Sequence, residues 1–582
     1  MRTIVSALAA STILAGAAGA AEIYPLDRAT ILAKSPFDFK VELDAAHGEA
    51  DIAVTVNGKP YAEVFGQPAA FVAEETDADG APLGSALILR DLSLAEPGRY
   101  TVEVRAGDET KSATWEVYAT AEAPRARNVI FIIGDGLSVA HRTSARIMSR
   151  GMTGGKADGR LAMDDLDHMA FIGTSSTHSI ATDSANTASA YMTGHKSRVN
   201  ALGVYADRTP DSLDDPRVET IAEALRRTTN KAIGIVSNSE LQDATPAAVV
   251  AHTRRRGDKA EITGMFHEVL PEVMLGGGSA YFLNAEVPGS KRKDDKDYIQ
   301  LFRDAGYAIA TTREELAAGT NAGRLLGLFH TGNMDTWLDR NQLGKGTVDK
   351  FPDQPGLVEM TAAALDQLSR NEDGFFLMVE AASVDKMSHP MDWERAVLDT
   401  IELDHTVALA RDFAARNPDT LVVLTGDHTH GLSLIGTIDT EKPGDDMREK
   451  LAVYDDAGFP DYVDADGDGY PDSLEVKRPL AIFSSNFPDY YETWGAKLDG
   501  PFVPAIQDGD GRYVANEAYK DVPGAVLRTG NLPRDNDTAV HAVDDVVLQA
   551  SGPGAEAFKG YMEQSDVYKV LADVLALGTD QK

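Results

Sequence analysis

Cysteine is absent from all 582 residues. Its absence excludes disulfides, thiolate metal ligands and any cysteine-derived nucleophile. Basic residues are scarce: 55 Lys and Arg stand against 91 Asp and Glu, for a formal charge of -36. Such a chain repels a phosphate backbone, so a nucleic-acid binder is excluded as a class. An acidic surface kept for solubility accounts for the charge, and so does a set of carboxylates that hold cations. Long apolar runs are confined to the start. Arg2 precedes the uncharged run Ile4 to Ala18, and Ala18-Gly19-Ala20 has the form a signal peptidase accepts. Residues 1–20 are therefore expected to be a signal peptide, with a short buried helix as the alternative, and the expected location is periplasmic or secreted. No later run approaches the ~20 residues that cross a bilayer, so no membrane span is expected.

From about residue 21 to 120 the pattern alternates with period two, as in Phe37-Asp-Phe-Lys-Val-Glu-Leu43 and Tyr100-Thr-Val-Glu-Val104. Turn signals such as Asn57-Gly58 and Pro97-Gly98 separate the runs. Short strands at this spacing predict a small antiparallel β-sandwich, immunoglobulin-like in outline. It carries no catalytic pair, and residues 121–126, with Pro124, read as a linker.

After the linker the apolar runs become continuous: Val129–Ile133, Ala232–Val236, Phe375–Val379 and Leu421–Leu424. Helical stretches, Val218–Arg227 and Leu357–Leu368 among them, lie between. Strands buried on both faces look like this, so residues 127–582 predict an α/β fold: a central, largely parallel sheet with helices on both faces. Three of these strands end in polar residues of one kind. The first leads into Gly134-Asp135-Gly136, the third into Glu380 with Asp385 and His389 behind it, the fourth into Asp427-His428-Thr429-His430. Ligands of open α/β sheets bind beyond the carboxyl ends of the strands. A lone Asp in such a place is usually a turn residue or a cap. Three strands delivering carboxylates and imidazoles to one edge imply cations between them. Asp and His without Cys suit zinc, whereas oxygens alone suit magnesium.

Ala181-Thr-Asp-Ser-Ala-Asn-Thr187 predicts a helix that begins at Asp183 or Ser184. A serine there meets unpaired N–H groups and the positive end of the helix dipole, where phosphate is favoured; an ordinary capping serine is the alternative. One guanidinium of Arg254-Arg-Arg256 turned inward would clamp a phosphate, whereas a solvated run would not.

These motifs, in this order, resemble those of the alkaline phosphatases, specifically the bacterial zinc/magnesium type, from about Arg127 to the C-terminus. The resemblance rests on Gly134-Asp135-Gly136, Thr182-Asp-Ser-Ala185, Glu240-Leu-Gln-Asp-Ala-Thr-Pro246, Val379-Glu-Ala-Ala-Ser-Val-Asp-Lys386, Thr425-Gly-Asp-His428 and Gly552-Pro-Gly-Ala555. It implies hydrolysis of small-molecule phosphate monoesters through a covalent phosphoserine on Ser184. It implies a first zinc on Asp385, His389 and His541, and a second on Asp135, Asp427 and His428. It further implies one magnesium on Asp135, Thr245 and Glu380. Arg256 falls at the phosphate-binding arginine, and Asp243 and Lys386 at a pair that contacts metal-bound water and, through water, the phosphate. Ser138 stands where the first motif often has another glycine. A homodimer and a monomer are both compatible with the sequence.

The stretch of about 432–530 is longer than in the simpler bacterial members and is expected to form a crown-like insertion. Within it, Asp464, Asp466, Asp468, Tyr470, Asp472 and Glu475 reproduce the spacing of a calcium loop, with an acidic surface turn as the alternative. Two rival functions remain: a phosphodiesterase or sulfatase on the same scaffold, and a secreted, calcium-stabilised binding protein without activity. Arg256, Lys386 and the magnesium set weigh against the first, because they suit a dianionic monoester. The second requires lost ligands, and none is missing.

Overall fold

The computed structural model describes residues 21–319, 323–442, 446–447, 451 and 454–582. The expected signal peptide, 1–20, lies outside the described residues.

The alternating N-terminal strands form two facing sheets. One has four strands in the order Glu22–Tyr24, Phe37–Glu42, Pro82–Leu92 and Ala70–Thr76; the other has five, with Glu109–Tyr118 and Gly98–Ala106 at its centre. Their inner side chains share one core around the fully buried Trp115, whose indole N–H donates to the Pro25 carbonyl. Period-two alternation suits a sheet with one face packed and one wet; on Phe37–Glu42 the polar face, Asp38, Lys40 and Glu42, is buried as well. This unit is fastened to the rest of the chain by charge as well as by apolar contact. Lys40, 1 % exposed, lies 2.9 Å from Glu42, 2.8 Å from Glu75 and 2.6 Å from Asp207.

The main body is built on a ten-stranded sheet. Its order is Tyr307–Ala310, Arg324–Leu328, Val273–Gly277, Ala232–Glu240, Phe375–Ala381, Asn128–Gly134, Thr420–Gly426, Val546–Ser551, His168–Gly173 and Gly560–Glu563. All run parallel except Val546–Ser551, which pairs antiparallel with both neighbours. The continuous apolar runs follow from coverage on both faces. Val129, Phe131 and Ile133 enter one core, with Tyr191, Leu225 and Tyr568. Ile130 and Ile132 enter the other, beneath the 24-residue helix Trp393–Arg416.

Register then sets the chemistry. Ile133 pairs with Glu380 on one side and Thr425 on the other, and Gly134 with Ala381 and Gly426. Asp135, Glu380 and Asp427 therefore leave three adjacent strands at the same edge. Between Leu432 and Arg528 the chain forms small two-stranded sheets outside the main one, with local apolar clusters around Tyr490 and Trp494.

Candidate active site

Asp183 caps the helix Ser184–Thr193, its carboxylate accepting from the Asn186 N–H at 3.1 Å. Ser184 is thus the first helical residue, and it is 2 % exposed. Its Oγ lies 3.2 Å from His428 Nε2 and 3.4 Å from each oxygen of Asp135.

The short helix Ser383–Ser388 presents Asp385 and, at its C-terminal cap, His389 on one face, four residues apart. Asp385 Oδ1, His389 Nε2 and His541 Nε2 form a triangle with sides of 3.4, 3.4 and 3.2 Å. Donors ~2.0–2.1 Å from one tetrahedral ion stand ~3.3 Å apart, so the triangle matches the footprint of one zinc-sized cation. The imidazoles are also oriented for it. His389 Nδ1 lies 2.7 Å from the Ala539 carbonyl and His541 Nδ1 lies 2.9 Å from the Thr182 carbonyl. A carbonyl only accepts, so each Nδ1 carries the hydrogen and each Nε2 lone pair faces the other. Lone pairs at that distance repel unless a positive charge stands between them. Without an ion a proton serves: burial opposes it, but Asp385 outweighs burial and drives His541 up to about 9.

Asp135, Asp427 and His428 gather a second donor group beside the first. His428 Nε2 is 3.1 Å from Asp135 Oδ1 and 3.6 Å from Asp427 Oδ2. The Gly136 and His428 N–H groups each donate to Asp427 Oδ1 at 3.0 Å, while Asp427 Oδ2 is buried without a partner. Burial first, then the neighbouring Asp385, push the Asp427 carboxyl up to about 6. The same causes, with Asp427 added, hold Asp135 well above the usual carboxylate range. A carboxylate cluster strained in this way is what bound cations relieve. Gly136, at φ +70, admits the crowding: a Cβ there would stand 2.8 Å from the His430 ring and 3.2 Å from Asp385.

The third set is all oxygen. Glu380 is buried at the end of its strand, accepting from Ser237 and, at 3.2 Å, from Ser239. Thr245 Oγ1 nearby is buried without a regular hydrogen-bond partner. With Asp135 these residues offer the hard donors that magnesium takes.

A cationic wall faces Ser184. Arg256 donates to Asp183 Oδ2 at 3.2 Å and to Asp243 Oδ1 at 2.9 Å, and Lys386 donates to Asp243 Oδ2 at 2.6 Å. Burial alone would raise the Asp243 carboxyl, yet Lys386, Arg256 and Lys259 hold it well below its ordinary value. Ser184, Arg256, Asp385, Lys386, His389 and His541 line one cleft of about 570 Å³.

Sequence reasoning missed two contacts. His430 Nε2 lies 2.6 Å from Asp385 Oδ1, so His430 belongs to the ligand cluster or braces it. Its signal was present, because His428 and His430 alternate along an extended segment that pairs His430 with His541. The second is Asp183, which holds Arg256 as well as capping the helix.

The acidic loop of the insertion is less complete than its spacing suggests. Asp464, Asp466 and Asp472 converge, whereas Asp468 and Glu475 stand outside that group. Several of these carboxylates accept from the loop's own N–H groups, Asp464 from Gly467 and Gly469 and Asp468 from Tyr470. The Tyr470 ring stacks on Trp337, 3.7 Å between centroids.

A serine at a helix N-terminus, two clustered His/Asp donor groups and a paired arginine at the carboxyl edge of a parallel sheet suit the hydrolysis of a phosphoester. Comparison with known proteins narrows the class. The alkaline phosphatase family profile matches residues 126–577, and the chain belongs to that family. It is 34 % identical over 375 residues to an alkaline phosphatase of Escherichia fergusonii, covering 58 % of this chain and 76 % of that protein. It is 29 % identical over 494 residues to the tissue-nonspecific alkaline phosphatase of Gallus gallus, covering 78 % of this chain and 86 % of that one. The fold is shared with Thermus thermophilus alkaline phosphatase, at a TM-score of 0.55 and 24 % identity, over 79 % of this chain and 93 % of that one. The protein is a phosphomonoesterase.

Proposed function

We propose that the reaction is a double displacement through a phosphoserine on Ser184, with two zinc ions and one magnesium in the three donor groups. The observation that carries this reading is the position of Ser184 Oγ, at a helix N-terminus, within 3.4 Å of both Asp135 and His428 and facing Arg256 across the cleft. The bound ions would supply the positive charge that ionises the serine hydroxyl and neutralises the leaving oxygen. Ser184 Oγ attacks phosphorus, the ester P–O bond breaks, and the alcohol departs toward the cleft mouth. Arg256, kept in place by Asp183 and Asp243, donates two parallel N–H groups to phosphoryl oxygens, and the unpaired N–H groups of the helix start face the same charge. Water then hydrolyses the phosphoserine, releases inorganic phosphate and returns the hydroxyl. Lys386, anchored on Asp243, adds positive charge that favours a dianion over a diester. The apolar run and small-residue site at residues 1–20 support export to the periplasm or the medium.

Replacing Ser184 by Ala tests the reading. Hydrolysis of an aryl phosphate monoester should fall by several orders of magnitude while the chain retains its bound ions. Unchanged hydrolysis in the purified variant would exclude Ser184 as nucleophile.

A further inference from the structure

A buried histidine behind the site has no part in the chemistry above. His141, fully buried, sits on the first turn of the helix Val139–Arg150. The Ser138 N–H donates to its Nδ1 at 3.1 Å, and Ser138 Oγ lies 3.0 Å from the same nitrogen. Because Nδ1 accepts from an amide, the hydrogen is on Nε2, which donates to Ser388 Oγ at 2.8 Å. The Ser388 hydroxyl passes on its own hydrogen to the Val384 carbonyl at 2.6 Å. The two ends of this relay matter. Ser138 lies three residues after Asp135, in the loop that delivers that ligand. Val384 and Ser388 flank Asp385 and His389 on the short helix that delivers the other donors. Burial lowers His141 to about 3, so it stays neutral and the relay keeps one orientation wherever the enzyme works.

We propose that Ser138, His141 and Ser388 form a latch that fixes the spacing between the two zinc-binding groups, with His141 as its positioning residue. Carbon or oxygen elsewhere in the core would fill the space; only an acceptor on one side and a donor on the other ties this loop to this helix. The latch rests on the metal reading above. Direct hydrogen-bond partners of metal ligands are worth ~10–100-fold in metal affinity; the latch acts one step further out, through the loop and helix that carry the ligands, so the lower end, ~10-fold, is expected.

The test is zinc affinity, measured on the metal-stripped full chain by competition with a chromophoric chelator, alongside thermal unfolding. His141→Leu and Ser388→Ala should each weaken zinc binding by ~10-fold. His141→Gln, whose amide N–H reaches toward Ser388, should recover most of the loss. Should His141→Leu fail to fold, Ser388→Ala decides alone, since it removes one oxygen. Variants that unfold at a lower temperature but bind zinc like the wild type would make His141 an ordinary core residue and overturn the latch. Wild-type protein that takes up no zinc would overturn the metal reading itself, which separates the two failures.

Discussion

His541 Nδ1 lies 2.9 Å from the carbonyl oxygen of Thr182, across 359 positions of sequence and two residues before Ser184. One hydrogen bond therefore sets the tautomer of the proposed metal ligand His541 and ties it to the backbone that carries Ser184, the proposed nucleophile. His541→Ala should remove a donor from the first triangle and leave the other two. Zinc bound per chain should fall by about one ion, with hydrolysis reduced by more than the ~10–100-fold typical of outer-shell changes. Elemental analysis of the purified variant, set beside its rate, checks this.

Arg256 is held by Asp183 and Asp243, and in the proposed reaction its fork offers two donors to one phosphate. Arg256→Ala should cost ~1.5–3 kcal/mol for each of the two charged hydrogen bonds removed, roughly 10²–10⁴-fold in kcat/KM for the pair. Lys at this position should not restore it, because an ammonium cannot reproduce the planar fork. Inorganic phosphate inhibition should weaken in parallel, and steady-state kinetics with and without phosphate report both.

Lys40 neutralises Glu42, Glu75 and Asp207 where the sandwich meets the main body. Lys40→Met would remove the one cation these three carboxylates share and leave only side contacts, Arg208 to Glu75 at 2.8 Å and Glu42 at 3.7 Å, and Arg254 to Asp207 at 3.5 Å. Breaking a buried pair costs ~3–5 kcal/mol. A lower unfolding temperature, with zinc content per folded chain unchanged, is the expected result in calorimetry.

Asp215 supplies a pH signature away from the metals. Its Oδ1 accepts from the Asp207 N–H at 2.8 Å, its Oδ2 has no partner, and burial raises its carboxyl to about 8. A carboxyl raised on folding contributes stability that is fully present below its unfolded value of about 3.9 and is lost as pH rises through about 8. Asp215→Asn should match the wild type in acid and become the more stable of the two as the pH rises through that window. Denaturant midpoints across the pH range measure this, and a difference independent of pH would contradict it.

The α/β body was legible because strands covered on both faces must be apolar throughout, as Val129–Ile133 is, and because three of the four such strands ended in ligand-type residues. The single antiparallel strand, Val546–Ser551, was not, since a buried run carries no mark of its direction. The helix start at Ser184 and the i, i+4 placement of Asp385 and His389 were legible from pattern, but the roles proposed for them came from the family resemblance. Arg256 was legible only through the family resemblance, because an arginine run looks the same whether it faces water or a carboxylate pair. His430 carried a signal in its alternation with His428, but its partner, Asp385 at 2.6 Å, lies 45 residues away and only the fold brings them together. The Ser138–His141–Ser388 chain was invisible for the same reason: its members are 247 residues apart at the longer link.

The central claim is that phosphate passes through Ser184. Incubating the purified enzyme with a phosphate monoester labelled on phosphorus, quenching in acid and mapping the labelled peptide tests it most directly. Label on the peptide containing Ser184, and its loss in Ser184→Ala, is the predicted result. Full turnover with no label on any serine, or label on a different residue, would contradict it.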